Sequence, residues 1–140
     1  MEKTKVRVSS KGIVALEREI VWQKLINFGG TEKFVPKVIE KVTVHGSGIG
    51  AVRNIQLIGG GEIIEKLTSV NNDLFEMKFI IMSTPMQVFD YEGILKIDFV
   101  DSKSCEVSFE SIYEVIPNNE KEIFKIIKDF QEVFISNLTI

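Results

Sequence analysis

Between residues 38 and 116 apolar and polar positions alternate with a period of two, interrupted at intervals by turn residues. The alternation predicts six antiparallel strands over 38–44, 50–58, 62–70, 74–82, 88–100 and 104–116. The breaks HGSGI, GGG, NND, STPMQ and DSKS are short enough to be hairpin connections, so these strands read as a meander. A further strand over 4–14 precedes them, with Val6 and Val8 set against Lys5 and Arg7. The period then changes. In EREIVWQKLINF (17–28) Val21, Leu25 and Phe28 fall at i, i+4 and i+7, behind an acidic first turn and ahead of Gly29-Gly30, which predicts a helix. TEKFVP adds a short helical or irregular piece ending at Pro36. After Pro117 and Asn118-Asn119, Glu120 and Glu122 open a long amphipathic helix. Its Ile123, Ile127, Phe130, Phe134 and Leu138 form one stripe, which Ile126 and Val133 widen.

The order strand, short helices, six strands, long helix belongs to the α+β class, and wrapping the sheet around the last helix is the economical way to bury its stripe. A lipocalin-like barrel would use more strands and need no closing helix of this length. Alternation also assigns faces. Phe75, Met77, Phe79 and Ile81 share one face of their strand, and Phe89, Tyr91, Leu95, Ile97 and Phe99 share one of theirs. Phe75, Phe79, Phe89 and Phe99 are thereby expected on the concave face, with Phe130 and Phe134 on the helix opposite. Arg53 falls on the same face as Ile55 and Leu57, and Glu65 on the same face as Ile63 and Leu67, so two opposite charges point inward from apolar faces. They flank the GGG turn about symmetrically and can be neighbours on adjacent strands. Such a pair is either a structural ion pair or a polar anchor in an apolar cavity. Strand 104–116 turns Val107, Phe109, Tyr113 and Val115 one way and Glu106, Glu110 and Glu114 the other. In strand 38–44, Val38, Val42 and Val44 compete with Ile39 for the inward side.

Composition narrows the chemistry. A length of 140 residues suits one domain, 1–140. With 17 Lys and Arg against 20 Asp and Glu the formal net charge is −3, which gives no bulk attraction for nucleic acid or anionic lipid. No apolar run approaches the ~18 residues of a membrane span, and no signal-peptide pattern follows the basic start, so integral membrane association is not expected. The one cysteine, Cys105, excludes an internal disulfide and reads as a small buried hydrophobe in a reducing compartment, the cytoplasm. Ten Phe accompany one Trp, one His and two Tyr, so aromatic content is almost wholly apolar and the usual catalytic types are scarce. A nucleophilic triad would have to use His45, which sits in a turn, and a metal site has no second His or Cys near it, so neither metal nor cofactor is expected. Gly46, Gly48 and Gly50 join two strands rather than a strand and a helix, so they form a hairpin and not a phosphate loop. Trp22 is placed to pack on the sheet edge.

This arrangement, together with VWQKLINFGG (21–30), G-x-G-A-V-R (48–53), GGEIIEKL (60–67) and TPMQVFDYEGILKI (84–97), resembles the polyketide cyclase/dehydrase and lipid-transport group of the START/Bet v 1-like (SRPBCC) superfamily. The ordered set of an I-x-E-x-L strand and a later P-x-x-V-x-x-Y-x-G segment carries most of the likeness. The resemblance implies a helix-grip fold, a seven-stranded curved antiparallel sheet around the C-terminal helix with a cavity between them. By similarity to plant abscisic acid receptors, Arg53 and Glu65 match a charged pair in the cavity, Tyr91 a pocket tyrosine and Glu110 a pocket carboxylate. The receptors' pocket lysine falls at or near Ile39 and their gate loop is replaced by the shorter Gly59–Gly61, so hormone sensing is not implied. Bet v 1-like enzymes use a lysine, a glutamate and a tyrosine as acid and base, for which Glu65 and Tyr91 are the candidates here; no lysine is clearly directed inward.

The expected ligand is a small hydrophobic molecule, a lipid, sterol or polyketide-like aromatic. Arg53, Ile55, Leu57, Glu65, Phe79, Ile81, Tyr91, Phe130 and Phe134 are the expected wall and anchor, with Glu110 added by the resemblance against its alternation. The alternatives are a cyclase or dehydratase using Glu65 and Tyr91, and a ligand-free module acting through dimerisation or a protein partner. The chain is expected as a monomer or homodimer.

Overall fold

The computed structural model describes residues 2–140. Strand β1 (Thr4–Val14) leads into helix α1 (Arg18–Ile26) and a 3-10 turn over Thr31–Lys33. A meander of β2 (Ile39–His45), β3 (Val52–Leu57), β4 (Glu62–Asn71), β5 (Glu76–Ser83), β6 (Phe89–Asp101) and β7 (Ser104–Val115) follows, and a 3-10 turn at Pro117–Asn119 opens α2 (Glu120–Ser136). The seven strands form one antiparallel sheet in the order β1-β7-β6-β5-β4-β3-β2, so only β1 leaves sequential order, pairing with β7 along its whole length. This is the helix-grip arrangement expected from the sequence.

The concave face carries the core. In β7 every second residue from Cys105 to Val115 is buried, and β6 contributes Tyr91, Leu95 and Ile97. Helix α2 lies against β1 and β7. Two glycines set its distance and that of the rings beneath it. A side chain at Gly12 in β1 would bring its Cβ within 2.7 Å of Ile135 on α2, and one at Gly93 in β6 would collide with the Phe79 ring. Gly93 therefore leaves the space in which the Phe79 ring lies flat across the sheet.

Several placements depart from the expected pattern. Asp90 has a φ of +50°, and between Phe89 and Glu92 the β6–β7 register slips. This bulge inserts one residue, so Phe89 turns outward opposite Glu114 while Tyr91 stays inward. Phe75 precedes β5 in a left-handed conformation (φ 53°), pairs by its carbonyl with Ile97 and packs on Trp22 at 5.6 Å, at the end of the sheet near α1. Phe99 keeps the parity of Ile97 but at the strand end it is 62% exposed. Of the four rings expected on the concave face, Phe79 borders the cavity and the other three do not. On α2 the buried stripe rolls toward Gln131 and Ile135, leaving Ile126 and Val133 exposed. A bulge between Ile39 and Lys41 resolves the competition in β2, because it places Ile39, Val42 and Val44 together on the covered side.

Candidate functional site

The hairpin β3–β4 sets Arg53 directly opposite Glu65. Both are buried, and the Glu65 carboxylate atom Oε1 accepts from Arg53 Nε at 2.8 Å and faces Nη2 at 2.6 Å. Arg53 Nη1 donates to the Phe28 carbonyl and to Thr31 Oγ1, each at 3.2 Å. The guanidinium also lies 3.9 Å from the centroid of the Phe28 ring and 5.1 Å from that of Phe79. Phe28 itself is left-handed, with a φ of 63°. The arginine thus ties the loop after α1 to the sheet and holds a non-glycine residue in a conformation that costs energy on its own. A buried charge is tolerated only when paired and hydrogen-bonded, and this one is both.

A second polar group faces it from β6, β7 and α2. Tyr91 Oη and Ser111 Oγ are 2.7 Å apart, and Gln131 Nε2 donates to Ser111 Oγ and to the Val8 carbonyl, each at 3.0 Å. Gln131 Oε1 accepts from Ser10 Oγ at 2.9 Å. Burial, and next to it the negative charge of Glu65, push the Tyr91 hydroxyl well above the usual tyrosine range, so it stays protonated. Burial raises Tyr113 in the same direction, and its hydroxyl has no hydrogen-bond partner among the described residues.

Between these groups lies a cavity of about 440 Å³. Arg53, Ile55, Leu57, Glu65, Phe79, Ile81, Tyr91, Phe130 and Phe134 all border it. Glu110 does not. It projects from the opposite face of β7, accepting from Arg7 Nη1 at 3.0 Å and Ser9 Oγ at 3.2 Å. Strand parity forces this, since Phe109 and Ser111 occupy the inward positions on either side; the placement suggested by resemblance is corrected accordingly. Ser111 and Gln131 were missed by sequence reasoning. The signal existed: Ser111 occupies an inward position of β7 between Phe109 and Tyr113, and Gln131 lies four residues from both Ile127 and Ile135 on the apolar stripe. Lys24 also borders the cavity, but its ammonium donates to the main-chain oxygen of Ile140 at 2.8 Å. The rim is formed by the 84–87 loop, Val38, Ile126 and Glu122.

His45 is exposed at the end of β2, and Cys105 is fully buried. Trp22 is buried at the β4–β5 turn, which joins two interior strands, rather than at a sheet edge; it packs on Phe75 and donates from Nε1 to Asn72 Oδ1 at 2.9 Å. Among the described residues no group of three or more His, Cys, Asp or Glu side chains is arranged to hold a metal, and no helix is long and apolar enough to cross a membrane.

No protein-family model matches the chain, and no curated protein matches it in sequence. Solved structures do match in shape. Norcoclaurine synthase of Thalictrum flavum superposes with a TM-score of 0.80 at 17% identity, covering 99% of this chain and 94% of that one. An aromatase/cyclase from a Streptomyces species gives 0.81 at 14% identity over 96% and 92% of the two chains. The XoxI protein of Bacillus cereus gives 0.78 at 19% over 99% and 93%. The fold is therefore the one that these structures share, a seven-stranded sheet gripping a C-terminal helix.

Proposed function

We propose that this helix-grip chain binds a small hydrophobic molecule, a lipid, sterol or polyketide-like aromatic, in the cavity between the sheet and α2. One observation carries the proposal: a space of about 440 Å³ remains inside an otherwise well-packed core, with an apolar wall and a few convergent polar groups. That volume falls in the range of roughly 300–1,000 Å³ common to ligand sites. An unfilled apolar space of this size costs stability, so a sequence with no use for it would be expected to fill it. The shape match to norcoclaurine synthase, seen in complex with dopamine and hydroxybenzaldehyde, supports the same reading, because there too a fold of this kind holds small aromatic molecules. Arg53, Glu65 and Tyr91 supply the anchor. The chain acts in the cytoplasm as one domain, alone or as a homodimer.

The test is titration with Nile red, an uncharged dye that brightens in apolar surroundings. Saturable binding is expected, and Ile63→Trp, which fills the cavity from its wall, should weaken it by roughly tenfold, about 1.4 kcal/mol. No saturable binding, or equal binding by a folded Ile63→Trp, would defeat the proposal.

A catalytic reading stands second, favoured by the Glu65 carboxylate and the Tyr91 hydroxyl bordering one cavity. In it Glu65 takes a proton from the substrate and Tyr91 steadies the oxygen on which charge develops, as in a cyclase or dehydratase. Turnover of a polyketide-like substrate should then collapse in Glu65→Gln while binding persists.

A further inference from the structure

Hydrogen counting across the two polar groups defines what the cavity can accept. The chain Ser10–Gln131–Ser111–Tyr91 carries a hydroxyl hydrogen on each of its three hydroxyl residues and two amide hydrogens on Gln131. These make bonds to Gln131 Oε1, to the Val8 carbonyl, to Ser111 Oγ, and one between Ser111 and Tyr91. One hydroxyl hydrogen is left over. If Ser111 donates to Tyr91, it is the Tyr91 hydrogen; if Tyr91 donates, it is that of Ser111, and both residues border the cavity. This end of the cavity therefore offers a donor and calls for an acceptor.

The other end has the opposite character. Arg53 and Glu65 neutralise each other; three of the five guanidinium hydrogens are donated to Glu65, Phe28 and Thr31, and Nη2 lies 2.6 Å from the same Glu65 oxygen that Nε engages. Only Oε1 of the carboxylate is engaged by Arg53. Oε2 has no hydrogen-bond partner among the described residues, so Glu65 presents an acceptor and calls for a donor. A carboxylate or sulfate on the ligand would add a negative charge, and among the described residues the one buried cation, Arg53, is already neutralised by Glu65. Lys24, the one lysine on the wall, is held by the Ile140 oxygen, and Glu122 on the rim carries a negative charge.

We propose that the cavity selects an uncharged ligand bearing a hydrogen-bond acceptor for the Tyr91–Ser111 hydroxyls and a donor for the Glu65 carboxylate, and that it rejects anionic forms of the same skeleton. This rests on the binding function proposed above and names its chemical class: hydroxylated ketones, phenols and sterols rather than free fatty acids.

The test displaces bound Nile red with estrone, which has a phenol at one end and a ketone at the other, with its methyl ether, which lacks the donor, and with its sulfate, which is an anion. Estrone should displace the dye at roughly tenfold lower concentration than the sulfate, and the ether should fall between them, roughly 3- to 10-fold weaker than estrone for one lost hydrogen bond. Tyr91→Phe should weaken estrone several-fold, because the spare hydrogen then belongs to the fully buried Ser111. Glu65→Gln removes the negative member of the pair, and the order should invert, the sulfate becoming the better competitor. Nile red separates the two levels. Failure of the dye to bind the wild type would defeat the binding function itself. Dye binding with the sulfate competing as well as estrone, at the Arg53 pair or at Lys24, would overturn the selectivity alone, as would unchanged order in a Glu65→Gln variant that still binds the dye.

Discussion

Helix α2 faces two halves of one sheet and treats them differently. Over β1 and β7 it packs closely: Ile135 reaches into the notch at Gly12, and Gln131 bonds across to Ser10 and Val8. Toward β3, β4 and β5 the same helix, through Ile127, Phe130 and Phe134, faces the cavity together with Ile55, Ile63 and Phe79. Both halves are apolar, so hydrophobicity alone does not decide which side closes. The difference lies in the polar residues. On the closed side Gln131 carries hydrogen bonds from the helix to Ser10, Val8 and Ser111; on the open side Arg53 and Glu65 pair within the sheet and with the loop after α1, which leaves the helix without a polar partner there.

Breaking the pair on the open side should have the largest effect. Glu65→Ala leaves Arg53 buried and uncompensated and should cost about 3–5 kcal/mol in chemical denaturation. Replacing both, Glu65→Leu with Arg53→Met, should recover much of that, short of what the Phe28 carbonyl and Thr31 hydroxyl lose with the arginine. A double variant no more stable than Glu65→Ala would mean that the guanidinium matters only as the loop's tie.

Truncations sharpen the contrast further. Ile135→Ala in the closed half, against Gly12, should cost about 3 kcal/mol, whereas Ile63→Ala on the cavity wall, whose side chain already borders open space, should cost about 1 kcal/mol. Equal losses would mean that the open half is as tightly packed as the closed one.

A smaller effect concerns pH. Tyr91 and Tyr113 are the chain's two tyrosines, and both are shifted upward by burial. The unfolded chain releases their protons near pH 10 while the folded one retains them, so stability is full below about pH 10 and falls as pH rises beyond it. Tyrosinate absorbance should emerge only above the ordinary range, together with unfolding, and Tyr91→Phe should flatten the alkaline loss. Ionisation of both rings at the ordinary value in folded protein would refute their placement. Smallest of all, removing the exposed Lys125–Asp129 pair on α2, 2.7 Å apart, should leave the denaturation midpoint unchanged within error.

Much of this was legible in the chain because period-two alternation survives wherever pairing is regular. The opposed placement of Arg53 and Glu65 follows from a short turn between two strands of known parity, and Glu110's outward position followed from parity even where resemblance suggested otherwise. What escaped was local irregularity. Nothing in VFDYE marks Asp90 as a left-handed residue, because no glycine stands there, and so the outward turn of Phe89 was hidden. Ser111 and Gln131 escaped for a different reason: each is a polar residue whose burial depends on the other, and β7 and α2 meet only in the folded molecule. Phe99 shows that parity gives a direction without giving a cover.

The most direct measurement of the central claim is methyl-resolved NMR of the full chain titrated with Nile red. Binding in the cavity predicts shifts at Ile55, Ile63, Ile81 and Ile127, with Val8, Val107 and Ile135 in the closed half unmoved. Shifts confined to the closed half or to the outer face of the sheet, or no shifts at saturating dye, would contradict it.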